Sequence, residues 1–299
     1  MGMLDRVRHW FDSGAPVTPS PSVPPPRAPA RPVVLEIRAS VATNPGCART
    51  QNQDAAIFAR PSDDRALVTH GVIAVVADGM GGHNGGEVAS VLACEKIPKA
   101  YFADSGPAPA ALRASLEAAN TEIYQAARAQ PDLRGMGTTA VAFAVTSSHG
   151  WLAYVGDSRL YLIRRGQIYR MSEDHSVVFD MVHQGLLTAE EARNHEDRNV
   201  LSRALGSHSQ VEVSCWEEPF PIQPGDRFLL CSDGLHDLVT DEKMLELAQS
   251  GELGAATERL VRTANENGGY DNISVILLEA VDPAAVRSRP GPTREYRLR

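Results

Sequence analysis

Four aspartates lie at the ends of strongly apolar segments, where a packed strand holds a side chain in a nearly fixed place. The segments are VIAVVADGMGG with Asp78, WLAYVGDSR with Asp157, RFLLCSDGL with Asp233 and GGYDNISVILL with Asp271. Carboxylates that meet in space repel one another and are costly to remove from water unless a cation binds between them. Oxygen ligands alone favour Mg²⁺, Mn²⁺ or Ca²⁺ over zinc or copper. The pattern therefore predicts a site for hard divalent cations.

Neighbouring residues extend this predicted site. Gly79 follows Asp78, and a residue without a side chain lets the backbone approach an ion, so the Gly79 carbonyl is a candidate ligand. In ARTQNQDAAIF, Arg49 and Asp54 precede a further strand, and the planar guanidinium of arginine matches phosphate. Each residue has an ordinary alternative, since aspartate beside glycine caps turns and a lone arginine is most often a surface residue. Four aspartates at the tips of apolar strands together favour the cation site.

The elements that must position these residues alternate in blocks of strands and helices. Apolar runs and alternation predict strands over residues 33–41, 68–77, 138–146, 151–163, 211–216, 227–231 and 272–279. Helical periodicity predicts helices over residues 87–102, 107–130, 242–248 and 255–265. His149 and Gly150 are the predicted turn of a hairpin. Blocks of this kind predict an α+β fold with sheets covered by helices.

The motifs resemble those of the metal-dependent protein phosphatases of type 2C, and the second motif has the bacterial form. In chain order they are RTQNQD at 49–54, DGMGGH at 78–83, GEVAS at 86–90, GTT at 137–139, GDSR at 156–159, LSRALG at 201–206, SDGL at 232–235 and DN at 271–272. The resemblance covers about residues 35–280. A complete ordered set in strand context is specific, whereas one short motif is weak. It implies an α+β fold in which a β-sandwich of two antiparallel sheets is flanked by helices, as an α-β-β-α four-layer arrangement.

The resemblance also implies the metal ligands. Asp78 would bridge two ions of Mn²⁺ or Mg²⁺, with the Gly79 carbonyl as a further ligand. Asp233 and Asp271 would hold the first ion. Asp157 would join Asp233 in a third, weaker site. The implied cofactor is therefore two or three ions.

The implied reaction is hydrolysis of phosphoserine and phosphothreonine in proteins. Two ions about 4 Å apart share a water and make hydroxide available for in-line attack on phosphorus. Arg49 would bind the substrate phosphate and, with the ions, offset the charge on its oxygens. Asp54 would act through metal-bound water. The implied partners are phosphoprotein substrates and a bacterial serine/threonine kinase whose action the enzyme reverses.

One position departs from the family pattern. Animal members have a histidine where this chain has Met80, and that histidine is thought to protonate the leaving oxygen. Methionine has no proton to give. The acid is then a water on the third metal, or none is needed for good leaving groups. His83 is a nearby substitute, although an ordinary exposed loop histidine is the favoured interpretation.

Residues 176–199 match the flap that bacterial members carry beside the active site. Two short helical pieces are predicted, and Thr188 with Glu191 forms a predicted capping box at the start of the second. His183 and His195 fit no zinc spacing and are predicted to lie on the flap surface. The flap is expected to affect which phosphoprotein is admitted.

The chain divides into three predicted regions, namely residues 1–32, a catalytic domain over 33–282 and a disordered tail over 283–299. The first region combines a proline-rich spacer with an apolar helical face formed by Met3, Leu4, Val7, Trp10 and Phe11. That face could dock on a membrane or a partner, pack back on the domain, or fray in solution. Its mixed charge disfavours attraction to anionic lipid.

Bulk composition excludes other classes. A net charge of -8 argues against binding nucleic acid through its phosphates. The four cysteines form no C-x-x-C pair and suggest no disulfide framework, which favours a reducing compartment. No apolar stretch reaches the roughly 18 residues of a spanning helix, and the N-terminus has no secretory apolar core, so a cytoplasmic location is predicted.

Two other functions remain as alternatives. A catalytically dead scaffold would have no reason to keep costly carboxylates and Arg49. A nuclease would need a basic, aromatic groove, which the composition does not suggest.

Overall fold

The computed structural model describes residues 35–81 and 85–284. The N-terminal apolar face, the proline-rich spacer, His83 and the tail from residue 285 lie outside the described residues. The domain boundary near residue 33 therefore stays a prediction. In the described part, no helix is both long enough and apolar enough to cross a membrane.

The first sheet has five antiparallel strands in the order β1-β12-β11-β7-β8. These strands are β1 (Glu36–Asn44), β12 (Ile273–Val281), β11 (Arg227–Cys231), β7 (Arg159–Arg164) and β8 (Gln167–Arg170). The last strand of the chain, β12, lies between the first strand, β1, and β11, whereas β7 and β8 are consecutive in the chain.

The second sheet has the order β10-β6-β5-β3-β2, with β4 beside β3 and β9 beside β6, and its pairings are also antiparallel. Its strands are β2 (Asp54–Ala59), β3 (Val72–Met80), β4 (Gly137–Thr138), β5 (Ala140–Thr146), β6 (His149–Val155), β9 (Ser214–Cys215) and β10 (Phe220–Pro221).

The helices flank the two sheets. They are α1 (Asp64–His70), α2 (Gly85–Ala103), α3 (Ala108–Ala129), α4 (Val177–His183), α5 (Ala189–Arg193), α6 (Asp233–His236), α7 (Asp241–Ala248) and α8 (Leu253–Glu266). A short 3-10 turn, Pro131–Leu133, follows α3. Helices α2 and α3 pack on the outer face of the second sheet, and α6, α7 and α8 pack on the outer face of the first.

The core between the sheets is aromatic at its centre. Phe143 of β5 and Phe228 of β11 come from opposite sheets, and their ring centroids are 4.6 Å apart. Strand β3 is buried on both faces, as its continuous apolar run predicted. Side chains on one face of β3 pack against the helices, and these are Ile73, Val75 and Ala77. Side chains on the other face pack against the first sheet, and these are Val72, Ala74 and Val76. The predicted α-β-β-α arrangement is confirmed.

Several predicted boundaries are wrong for identifiable reasons. Residues 68–70 belong to α1, because Asp63 caps that helix through the Ala66 N–H and Gly71 ends it. The predicted strand over 151–163 is two strands in different sheets, separated at Gly156 with φ of 98°. The predicted strand over 211–216 shortens to Ser214–Cys215.

The hairpin between β5 and β6 is confirmed, but its turn lies earlier than predicted. Thr146 pairs with His149, so Ser147 and Ser148 form the loop and Gly150 lies within β6. Ser147 has φ of 55°. The glycine was the misleading signal, because it marks a close approach to the Phe143 ring instead of a turn.

Both sheets bring strand ends to one edge of the sandwich. Asp54 begins β2 and pairs with Asp78 near the end of β3. Cys231 ends β11 and pairs with Arg159 at the start of β7 and with Val275 near the start of β12. The turns that carry the predicted site residues therefore open on the same edge.

Candidate metal centre

Asp54 and Asp78 lie directly opposite each other on adjacent strands. Paired residues of antiparallel strands point to the same face with Cβ atoms about 5 Å apart. The Asp78 N–H donates to Thr139 Oγ1 (2.9 Å), and its carbonyl accepts from the Thr139 N–H (2.8 Å) and from Thr138 Oγ1 (2.8 Å). These bonds fix the Asp78 backbone against Thr138 and Thr139, at the short gap between β4 and β5.

The first sheet supplies the other carboxylates at this edge. Asp233 follows β11, Asp271 precedes β12 and Asp157 precedes β7. The carboxyl groups of Asp78 and Asp233, which come from different sheets, lie close enough to interact, and this interaction contributes to the rise in the pKa of Asp78. The structure therefore brings aspartates from both sheets into contact, as the strand-end pattern predicted.

Enclosure in protein changes the acidity of these groups. Burial, followed by repulsion from the other carboxylates, raises the pKa of Asp78 and of Asp157 well above the usual value. Burial also raises the pKa of Asp233, and it raises the pKa of Asp54 to about 7. All of these shifts have the sign expected for carboxylates crowded together without a compensating cation.

Two carboxylate oxygens at the centre are unsatisfied. Asp54 Oδ1 and Asp233 Oδ1 are buried and have no hydrogen-bond partner. Among the described residues, no three His, Cys, Asp or Glu side chains converge closely enough to form a metal cage by themselves. The donor set nevertheless fits hard divalent cations, because it consists of crowded carboxylates with unused lone pairs. The individual ligand roles stay predictions.

Gly79 is in a position that admits no side chain. A Cβ atom there would lie 2.0 Å from the Gly86 carbonyl oxygen and 2.5 Å from that of Gln53. The Gly79 N–H donates to the same Gln53 carbonyl (3.0 Å). The backbone after Asp78 is thus packed against the start of α2, and a Cβ atom added to Gly86 would lie 2.8 Å from the predicted ligand, the Gly79 carbonyl oxygen.

Arg49 lies at the mouth of the centre. Its Nη2 is 2.7 Å from Asp271 Oδ2, and this hydrogen bond raises the pKa of Arg49. The Arg49 side chain is 55% exposed, so much of its guanidinium still faces solvent. The structure therefore places the predicted phosphate-binding group beside a predicted metal ligand.

Asn272 is a structural residue whose role the sequence analysis missed. Its Nδ2 donates to the carbonyls of Pro45 (3.0 Å) and Gln51 (2.9 Å), and its Oδ1 accepts from the Gln53 N–H (2.7 Å). One buried side chain therefore fixes the loop that carries Arg49. Its place directly after Asp271 in the last motif was the available signal.

Arg159 was also missed. It binds Asp174 through Nε (3.0 Å) and Nη2 (2.7 Å), and Arg170 pairs with the same carboxylate. Burial acts in the opposite direction, but these two arginines hold the pKa of Asp174 well below its usual range. Arg159 stands two residues after Asp157, so the pair fixes the turn that presents Asp157.

Met80 turns its side chain toward β4. A Cβ atom added to Gly137 would lie 2.9 Å from Met80 Cε, so the thioether packs over that glycine. A methionine in this place supplies no proton. Met80, which stands where animal members have a histidine, therefore has a packing role in this chain.

The predicted flap has the predicted helices, α4 and α5. The capping box of Thr188 and Glu191 is confirmed. His183 lies against the Phe179 ring, with centroids 5.3 Å apart, and His195 Nδ1 is 3.8 Å from Asp197 Oδ2. Both histidines make these contacts within the flap.

The flap is closed at its base by main-chain bonds. Ser176 and Leu201 form an isolated antiparallel bridge. The Val177 N–H donates to the Val200 carbonyl (2.9 Å), and the Ser202 N–H donates to the His175 carbonyl (2.9 Å). The two ends of the flap are therefore held side by side, and the His175 N–H donates to the Gly156 carbonyl (3.0 Å) beside them.

A family model described as Protein phosphatase 2C matches residues 48–272, which include every predicted site residue. The chain belongs to the protein phosphatase 2C family. It is 37% identical over 249 residues to the serine/threonine phosphatase stp of Listeria monocytogenes, covering 81% of this chain and 96% of that protein.

The likeness to mycobacterial members of the protein phosphatase 2C family is similar. The chain is 36% identical over 253 residues to the serine/threonine protein phosphatase PstP of Mycobacterium tuberculosis, covering 84% of this chain. It spans only 46% of the length of PstP. A crystal structure of the PstP catalytic domain in complex with two manganese ions superposes with a TM-score of 0.70 at 34% identity, covering 83% of this chain and 100% of that one.

Proposed function

We propose that this chain hydrolyses phosphoserine and phosphothreonine in proteins with the help of bound Mn²⁺ or Mg²⁺. The observation that carries the proposal is the approach of the Asp78 and Asp233 carboxyl groups from the two sheets, together with the unsatisfied oxygens of Asp54 and Asp233 and the bond from Arg49 to Asp271. Crowded carboxylates can bind divalent cations, and an arginine beside them can bind the phosphate of an ester.

The predicted ligands are Asp78, Asp157, Asp233, Asp271 and the Gly79 carbonyl. Ions bound there would polarise the phosphate and activate a water. Asp54 lies across the strand pair from Asp78, and its unsatisfied Oδ1 would accept a hydrogen bond from that water. Arg49 orients the phosphate and offsets the charge on its oxygens.

The substrate, the partner and the location follow from the relatives and from the cysteines. The substrate is a phosphoprotein, and the partner is a serine/threonine kinase whose products this chain would reverse, because the relatives are named serine/threonine phosphatases. A cytoplasmic location is supported by the four cysteines, which are all free thiols. Of these, Cys94, Cys215 and Cys231 are buried.

The decisive experiment measures phosphate release from p-nitrophenyl phosphate and from a phosphothreonine peptide, with Mn²⁺ and with EDTA. Release that requires Mn²⁺ supports the proposal, and no release by folded protein rejects it in favour of a scaffold. Asp233→Asn should abolish release. Asp64→Asn, the same change at an exposed site on the opposite end of the sandwich, is the control and should retain it. Cleavage of a plasmid in preference to the peptide would indicate a nuclease.

A further inference from the structure

Tyr270 lies on the loop between α8 and β12, one residue before Asp271, and its ring is 67% exposed. A single exposed aromatic is ordinary on a protein surface. This one differs by its place, because Asp271 binds Arg49, the predicted phosphate-binding residue. Because the side chain of phosphothreonine is short, residues that flank it in a phosphoprotein bound at Arg49 would lie near the loop of Tyr270 and Asp271.

The ring is held in place by its own loop. A Cβ atom added to Gly268 would lie 2.4 Å from Tyr270 Cζ, so the ring fills the space above that glycine. Gly268 has φ of +126°, a conformation that side chains disfavour. The tyrosine side chain therefore loses little conformational entropy when it contacts a ligand.

The same loop is tied to the loop of Arg49. The Gly269 carbonyl accepts from the N–H groups of Cys47 (2.8 Å) and Ala48 (3.1 Å). The distance between the Tyr270 ring and the Arg49 loop is thus fixed by the main chain. A group bound on the ring has a defined position relative to the phosphate.

A surface groove continues from this loop. It lies between β1 and α8, has a volume of about 520 Å³, and is lined in part by Asn44, Val261 and Asn265. Asn265 lies close to Gly269 and to the Cys47 thiol, with its Oδ1 3.4 Å from Cys47 Sγ. The groove therefore reaches the loop that carries Tyr270 through Asn265.

We propose that Tyr270 is a specificity-determining residue that contacts the side chain flanking the phosphorylated residue and favours an apolar one. This inference rests on the proposed phosphatase function. Aromatic side chains supply large apolar contact area with few rotatable bonds, and tyrosine is enriched at binding hot spots.

The test compares two phosphothreonine peptides that differ only in having leucine or glycine on both sides of the phosphothreonine. The wild-type kcat/KM should be about five-fold higher for the leucine peptide. Tyr270→Ala should bring this ratio close to one, and Tyr270→Phe should preserve it. Val68→Ala, which shortens an exposed apolar side chain at the opposite end of the sandwich, is the matched control and should also preserve it.

The outcomes separate this inference from the proposed function. An N-acetylated phosphothreonine amide, which has no flanking residues, reports on the centre alone. No Mn²⁺-dependent release from any of the three substrates defeats the phosphatase proposal. Release with the same peptide ratio in wild type and Tyr270→Ala overturns the role of Tyr270 only. A ratio that falls in Leu186→Ala, at the exposed flap tip, but not in Tyr270→Ala would also overturn it.

Discussion

The Ser232 hydroxyl donates a 2.7 Å hydrogen bond to Asp54 Oδ2 from the opposite sheet. Ser232 follows β11 and is fully buried, and its Oγ accepts from the Ser274 N–H (2.9 Å). The Asp54 carboxyl group is therefore fixed through Oδ2, while Oδ1 has no hydrogen-bond partner. A hydroxyl fixed in this way sets the position of Asp54, which is predicted to act in the reaction, as hydrogen-bond partners of ligands do at metal sites.

Ser232→Ala should weaken the affinity for Mn²⁺ or lower kcat/KM by about 10- to 100-fold, because partners of this kind have effects of that size. Isothermal titration with Mn²⁺ and steady-state kinetics measure the two effects. Ser115→Ala is the matched control, since that buried hydroxyl bonds only to the Leu112 carbonyl (2.7 Å) in its own helix. Wild-type affinity and kinetics in Ser232→Ala would show that the bond has no part in the site.

Asp78→Asn should abolish turnover while the protein stays folded. Burial and neighbouring carboxylates raise the pKa of Asp78, so its charge destabilises the metal-free fold. The amide removes that charge, and the melting temperature in EDTA should equal or exceed that of wild type. Thermal unfolding and phosphate release are measured on the same sample. Full activity in this variant would contradict the predicted metal bridge.

The metal-free protein should become less stable as the pH rises from about 4 to about 7. Burial raises the pKa of Asp54 to about 7 and also raises the pKa of Asp78 and Asp157, so the folded state binds more protons than the unfolded state in this range. His175 partly offsets this loss below pH 6.5, because burial lowers its pKa to about 4.

Melting temperatures in EDTA across this pH range test that expectation. Saturating Mn²⁺ should flatten or reverse the slope, because bound cations replace the protons between the carboxylates. At a concentration of 100 times Kd, a ligand adds about 2.7 kcal/mol of stability. Identical pH profiles with and without Mn²⁺ would argue that the carboxylate edge binds no ion.

Asp226→Ala should destabilise the fold by about 3–5 kcal/mol, because it leaves a buried arginine without its partner. Arg164 binds Asp226 through Nε (2.8 Å) and Nη2 (2.6 Å), and both side chains are only 2% exposed. Urea unfolding measures the loss. Arg38→Ala, which breaks an exposed pair with Glu36, should cost no more than about 1 kcal/mol. Similar losses in the two variants would show that burial of the first pair is unimportant.

The sequence predicted elements well where apolar periodicity was long. The burial of both faces of β3 and the apolar face of α3 could be predicted, because the spacing of apolar residues follows which side chains face the core. Local signals failed at the join between α1 and β3. There the cap of Asp63 and the stop at Gly71 decide the structure, and an apolar run such as LVTHGVIAVV does not show where a helix gives way to a strand.

The sequence predicted the aspartates of the site but not the hydrogen-bond partners that fix the site residues. Asp78 and Asp233 stand at strand ends, and the end of a strand can be read from the sequence. The bonds from Ser232 to Asp54, from Asn272 to the loop of Arg49, and from Arg159 to Asp174 join residues distant in the chain or depend on side-chain rotamers. Such partners become visible only when the two sheets are packed together.

The closed base of the flap makes that segment an exchangeable module. Ser176 and Leu201 are already neighbours, so the entropy of closing the loop between them grows only with the logarithm of its length. Doubling the segment would cost only about 0.6 kcal/mol by this measure. Insertions or a transplanted tip would therefore be tolerated without moving the turn at Asp157. Evolution or an engineer can vary this segment and keep the chemistry intact.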